Sequence, residues 1–182
     1  AHNSLGGIRD AYNWDNHHNL RLFARPDDGK VVPLPWDWDN LFNAPTGPLF
    51  GGGNLAKIIN RPQNLRAYYG HMQDIIATSF NTAYMSRWTT HYGQVAGRDF
   101  SGALNYISQR ASFVTSQLPA QIPFVITTNS GADFTDNQST VIIEGNGWIN
   151  VRELRLAGSE NPLDVQWTDF DSWRVTVPLS LG

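Results

Sequence analysis

At Leu118-Pro119 the hydrophobic rhythm of the chain changes, so no single repeating architecture can account for all of it. Before that point apolar residues recur at helical spacing. Leu65, Tyr68, Tyr69, Met72, Ile75, Ile76 and Phe80 form an i, i+3/i+4 stripe, the pattern of a helix with one buried face. Leu55, Ile58 and Ile59 have the same spacing, and Asn60-Arg61-Pro62 breaks the run, with Pro62 suited to the first turn of a new helix. A further helix is expected from Phe100 to about Gln117, burying Leu104, Ile107, Ala111 and Val114 and capped by Asp99 or Ser101. Beyond Pro119 and Pro123 the period becomes two, which is the period of strands.

Five strands are expected there: Phe124–Ile126, Val141–Ile143, Val151–Leu156, Val165–Trp167 and Trp173–Val177, separated by Gly, Asn and Asp clusters. Short, regularly spaced strands with turn chemistry between them read as a β-sandwich, and an Ig-like sandwich uses about seven. The expected fold is therefore α+β, with one domain over residues 1–118 and an incomplete Ig-like β-sandwich over 119–182.

Residues 1–50 are polar, aromatic and rich in Asn and Asp. Leu20-Arg21-Leu22-Phe23 alternates like a strand, Pro26-Asp27-Asp28-Gly29 is a turn signal, and Val31-Val32-Pro33-Leu34 reads as the returning strand. A hairpin here would bring its two flanks together: the segment from Asp10 to Asn19, and Trp36-Asp37-Trp38-Asp39-Asn40. Carboxylates and amides converging at one end of a β-ribbon are hard oxygen ligands, suited to Mg²⁺ or Ca²⁺. Phosphoryl transfer uses such a set: an Asp that orients the attacking hydroxyl, an Asn that holds a metal, and a second Asp after a short hairpin.

Asp10-x-Tyr12, then His18-Asn19 before a strand, then Leu34-Pro35-Trp36-Asp37-Trp38-Asp39-Asn40-x-Phe42 resembles the CotH family of spore-coat atypical protein kinases. Pro48-Leu49, Asn60-Arg61-Pro62 and Leu65-Arg66-x-Tyr68 resemble the family's segment after the metal motif, so the likeness covers about residues 5–118. The resemblance implies a kinase-like lower lobe, built of a β-hairpin plus helices. It implies Asp37 as principal metal ligand, Asp39 as a neighbouring ligand or a carboxylate behind the ligands, Asn19 as the catalytic-loop metal ligand and His18 as support for that loop. It implies Asp10 as the catalytic aspartate, while Asp15, nearer to Asn19, stays open as the alternative. The implied cofactors are ATP and Mg²⁺ or another divalent cation, and the implied partner is a protein phosphoacceptor. The family's upper lobe, with its phosphate-covering loop and Lys–Glu pair, finds no counterpart before Asp10. Gly51-Gly52-Gly53 follows the metal motif without a phosphate-loop context. The chain thus reads as part of a kinase and, alone, as inactive.

A formal net charge of −3 gives no basic footprint for nucleic acid. No apolar run approaches the ~18 residues of a membrane span. The absence of cysteine removes disulfides, thiolate metal sites and cysteine nucleophiles. Ala1–Gly7 lacks the charged start and apolar core of a signal peptide. Seven Trp residues and only two Lys, Lys30 and Lys57, suit an exported, secreted or cell-surface bacterial protein. His71 and His91, in helical context, read as structural. Trp148, Trp167 and Trp173 invite a carbohydrate-binding reading, against which a sandwich core needs large residues. Two functions are therefore expected in competition. One is a CotH-like Ser/Thr kinase acting on a surface or coat protein. The other is a non-catalytic surface or adhesion scaffold whose Ig-like module binds or spaces.

Overall fold

The computed structural model describes residues 1–8, 11, 19–34 and 36–179 of the 182-residue chain. Asp10, Asp15 and His18 lie outside the described residues. The described chain is mixed α and β, with five α-helices and two antiparallel sheets. Its order is α1 (His2–Gly6), β1 (Arg21–Ala24), β2 (Val31–Leu34), α2 (Asn54–Ile59), α3 (Pro62–Thr78), α4 (Thr82–Ala96), α5 (Ser101–Gln117), β3 (Val125–Ile126), a 3₁₀ turn (Thr128–Gly131), β4 (Thr140–Asn146), β5 (Val165–Trp167) and β6 (Ser172–Pro178). Two compact units result. The first contains Ala1–Asn60 and His71–Leu118, the second Arg61–Gly70 and Pro119–Gly182.

The helix boundaries follow local chemistry, both in the first unit and in α3, whose residues are divided between the two units. Helix α3 begins at Pro62, whose missing N–H would be unbonded in a first turn anyway. Asn81 caps α4, its side-chain oxygen accepting from the Tyr84 amide at 2.8 Å. Gly97 ends α4 with φ 63°, a left-handed conformation that glycine adopts without a Cβ penalty. Asp99 serves the start of α5: one carboxylate oxygen accepts from the Ser101 amide and the other from its hydroxyl, both at 2.8 Å. The core of this unit gathers Leu5, Ile8, Leu49, Ala56, Ile59, Met72, Ile107 and Val114. Leu104 and Ala111, expected on the buried face of α5, are half-buried, and Tyr106 and Arg110 are buried beside Ile107 and Val114.

In the second unit the strand order is β3-β4-β6-β5. β4 and β6 pair in register from Thr140↔Pro178 to Asn146↔Ser172. Alternation along β6 sends Trp173, Val175 and Val177 into the core and leaves Arg174 and Thr176 exposed. Val141, Ile143, Leu154, Leu163, Val165 and Trp167 pack against these three. The strand expected at Val151–Leu156 is not formed; an isolated bridge, Arg155↔Pro162, is found there. The backbone of this segment is committed elsewhere. The Val151 amide closes a turn onto Trp148, the Val151 carbonyl accepts from Arg66, and the Leu154 carbonyl accepts from the Leu163 amide.

Candidate functional site

The site builds on the first sheet. β1 and β2 pair from Arg21↔Leu34 to Ala24↔Val31. Their turn is tied by the Lys30 amide on Asp28 at 3.0 Å and by Arg25 Nε on the same carboxylate at 3.0 Å. Arg25 holds the Asp28 carboxyl below the usual carboxylate range, helped by the Lys30 amide. Gly29, at φ 67°, supplies the left-handed residue that the turn needs.

The ladder ends at Arg21↔Leu34, so the register sets Asn19 and Trp36-Asp37 just outside the same end of the ribbon. Arg21 marks this end, its guanidinium lying 3.3 Å from the centre of the Trp36 ring. Asn19 is half-buried, and Asp37 and Asp39 are exposed. Asn19 and Asp37 have φ of 58° and 54°, with Phe42 at 64° and Ala44 at 50°. Asn and Asp are the non-glycine residues that tolerate this region best. A bulky Phe there is strained by about 1–3 kcal/mol and needs surroundings that hold it.

Those surroundings are visible. The Phe42 amide donates to the Gly6 carbonyl at 2.8 Å, and its ring meets Tyr106 with centroids 5.3 Å apart. Trp38 and Leu41 pack on Ile8 and Ala11, the described residues that flank Asp10 in sequence. The alternation of the motif thus separates its two tryptophans: Trp38 faces this cluster and Trp36 stays 46% exposed. Gly7 has φ 68°, and a Cβ there would collide with the Asn43 carbonyl and the Tyr106 hydroxyl. The segments on either side of the two motifs therefore touch, and glycine is required where they do.

Two side chains on α5 brace this arrangement. Tyr106 donates to the Leu5 carbonyl at 3.2 Å, and burial pushes its phenol pKa up against the opposing charge of Arg110. Arg110 has no exposed surface. Its Nε and Nη2 donate to the Ser4 carbonyl at 3.1 and 2.8 Å, Nη2 also to Pro48 at 3.1 Å, and Nη1 to Pro45 at 3.0 Å and to Gly47. These bonds occupy all five N–H donors of a guanidinium.

Sequence reasoning singled out Asn19, Asp37 and Asp39 and missed Arg110 and Tyr106. A legible signal existed: Tyr106, Arg110 and Val114 share one helical stripe, and a cation inside an apolar stripe must find acceptors. Among the described residues no three His, Cys, Asp or Glu side chains gather as a metal-binding group. Asn19, Asp37 and Asp39 offer oxygen donors only, a set that fits a hard divalent cation retaining several waters. No protein-family model, no curated protein and no solved structure matches the chain.

Proposed function

We propose that the first unit is the metal-binding and catalytic-loop part of a CotH-like protein kinase. Its parent would transfer the γ-phosphoryl of ATP to Ser or Thr of a surface or coat protein. The observation that carries this reading is the hairpin register, which sets Asn19 and Asp37 at one end of a two-stranded ribbon. In this reading Asn19, Asp37 and Asp39 hold Mg²⁺ or another divalent cation. That ion would neutralise charge on the phosphates of ATP. Asp10 is the residue that orients the acceptor hydroxyl, with Asp15 as the alternative, and His18 steadies the loop. A nucleotide-covering lobe belongs to the parent protein in this reading, and the second unit is an Ig-like module that follows the kinase part in sequence.

Calorimetric titration with Mg-ATP tests the reading on this chain and on a version extended upstream. Binding to either that Asp37→Asn abolishes is the expected result. Absence of binding to both would remove the kinase reading.

A second reading, a surface-binding scaffold, is favoured by one feature of the second unit. A mostly apolar cavity of about 600 Å³ opens against its sheet, lined by Phe124, Phe134, Ile143, Leu156 and Trp173 among others. Among the described residues the buried indole N–H of Trp173 has no hydrogen-bond partner. An apolar lined cavity of this size is the form that a small binding site takes.

A further inference from the structure

We infer that Arg110 is a positioning residue for the Asp37–Asn40 segment, although it stands on a helix far along the chain and is no part of the motif. Its bearing on metal binding rests on the function proposed above; its structural effect does not. Residues 35–53 contain no helix or strand among those described, so no ladder of backbone bonds holds them. Several side-chain and backbone contacts hold them instead. The carbonyls of Pro45, Gly47 and Pro48 all accept from Arg110. The Phe42 amide donates to Gly6, in the α1 segment whose Ser4 carbonyl accepts twice from the same guanidinium.

One planar group therefore joins α5, the α1 segment and the loop that leaves the motif. The fork geometry matters, because a guanidinium presents five donors in fixed directions and an ammonium only three at one point. Arg110→Lys keeps the charge and loses most of the carbonyl set. The expected consequence is local. Phe42, at φ 64°, is held against Gly6 and Tyr106, and the Asp37–Asn40 segment runs directly into Leu41 and Phe42. The residue thereby controls how well Asp37 and Asp39 are preorganised without touching either.

Amide hydrogen exchange on the intact chain tests this, read at Phe42 and at the α4 amides. In Arg110→Lys the Phe42 amide should exchange at least about tenfold faster, while α4 amides change less than about twofold. Tyr106→Phe removes one donor from the same brace and should give a smaller acceleration at the same amide, which keeps the test available if Arg110→Lys fails to fold. An unchanged Phe42 amide in both variants, or a uniform acceleration through α4 and α5, would overturn the inference. A parallel Mn²⁺ titration separates it from the proposed function. Wild-type binding that Arg110→Lys weakens about tenfold, at unchanged α4 protection, supports both. Wild-type protein that takes no Mn²⁺ removes the metal reading, and the exchange data still decide the role of Arg110.

Discussion

Each compact unit contains a buried arginine on a helix whose guanidinium donates to backbone carbonyls, and the two act in different settings. In the first unit Arg110 serves Ser4, Pro45, Gly47 and Pro48. In the second, Arg66 is 4% exposed and donates to Gly147 and Val151 at 2.9 and 3.0 Å, to Phe170 at 3.0 Å and to Trp148 at 2.5 Å. Arg66 also lies 3.2 Å from the centre of the Trp167 ring. Burial, with the nearby Arg152 charge, lowers its pKa to about 10, so it stays cationic at neutral pH. Arg66 fastens loops that already hang from a seven-pair β4–β6 ladder. Arg110 fastens chain that has no ladder. The same chemistry is thus reinforcement in one unit and the principal scaffold in the other.

That difference predicts an order of effects. Arg110→Leu should be the most damaging, costing about 3–5 kcal/mol, because the buried Ser4 carbonyl and the part-buried carbonyls of Pro45, Gly47 and Pro48 lose their donor in chain without a ladder. Arg66→Leu should cost about 2–4 kcal/mol, from the same loss plus the stacking on Trp167. Urea unfolding of both variants checks the order, and a larger loss for Arg66→Leu would show that Arg110 is not the principal scaffold.

The smallest effect concerns the exposed turn of the hairpin. Asp28 has its folded pKa below the free value of 3.8, mainly through Arg25. Its contribution is therefore complete above that value and fades as pH falls through the folded pKa. Amide exchange of Gly29 and Lys30 should rise below about pH 4, beyond the intrinsic dependence, and Asp28→Asn should remove that rise.

Much of the fold could be read from periodicity. Pro62 at a helix start, the helical stripe through Met72, and the alternation at Trp173, Val175 and Val177 all reflect patterns that burial imposes on sequence. The hairpin was legible because its turn residues and flanking alternation are local. Two things were not. The Val151–Leu156 segment has strand composition, but Arg66, remote in sequence, takes one of its carbonyls. The brace around Phe42 joins Leu5, Gly6, Tyr106 and Arg110, residues about a hundred positions apart, and no local pattern encodes which carbonyls a buried guanidinium will find. The chemistry-bearing residues were thus easier to nominate than the residues that hold them.

In the proposed function Asn19, Asp37 and Asp39 form one oxygen-donor site at the end of the β1–β2 ribbon. Mn²⁺ is a paramagnetic stand-in for Mg²⁺ and broadens amide resonances close to where it binds. Titrated at well below one equivalent, it should erase the amide signals of Asn19, Asp37 and Asp39 before any others, with Asp37→Asn restoring the lost signals. Broadening centred elsewhere, or none at those three residues, would rule that site out.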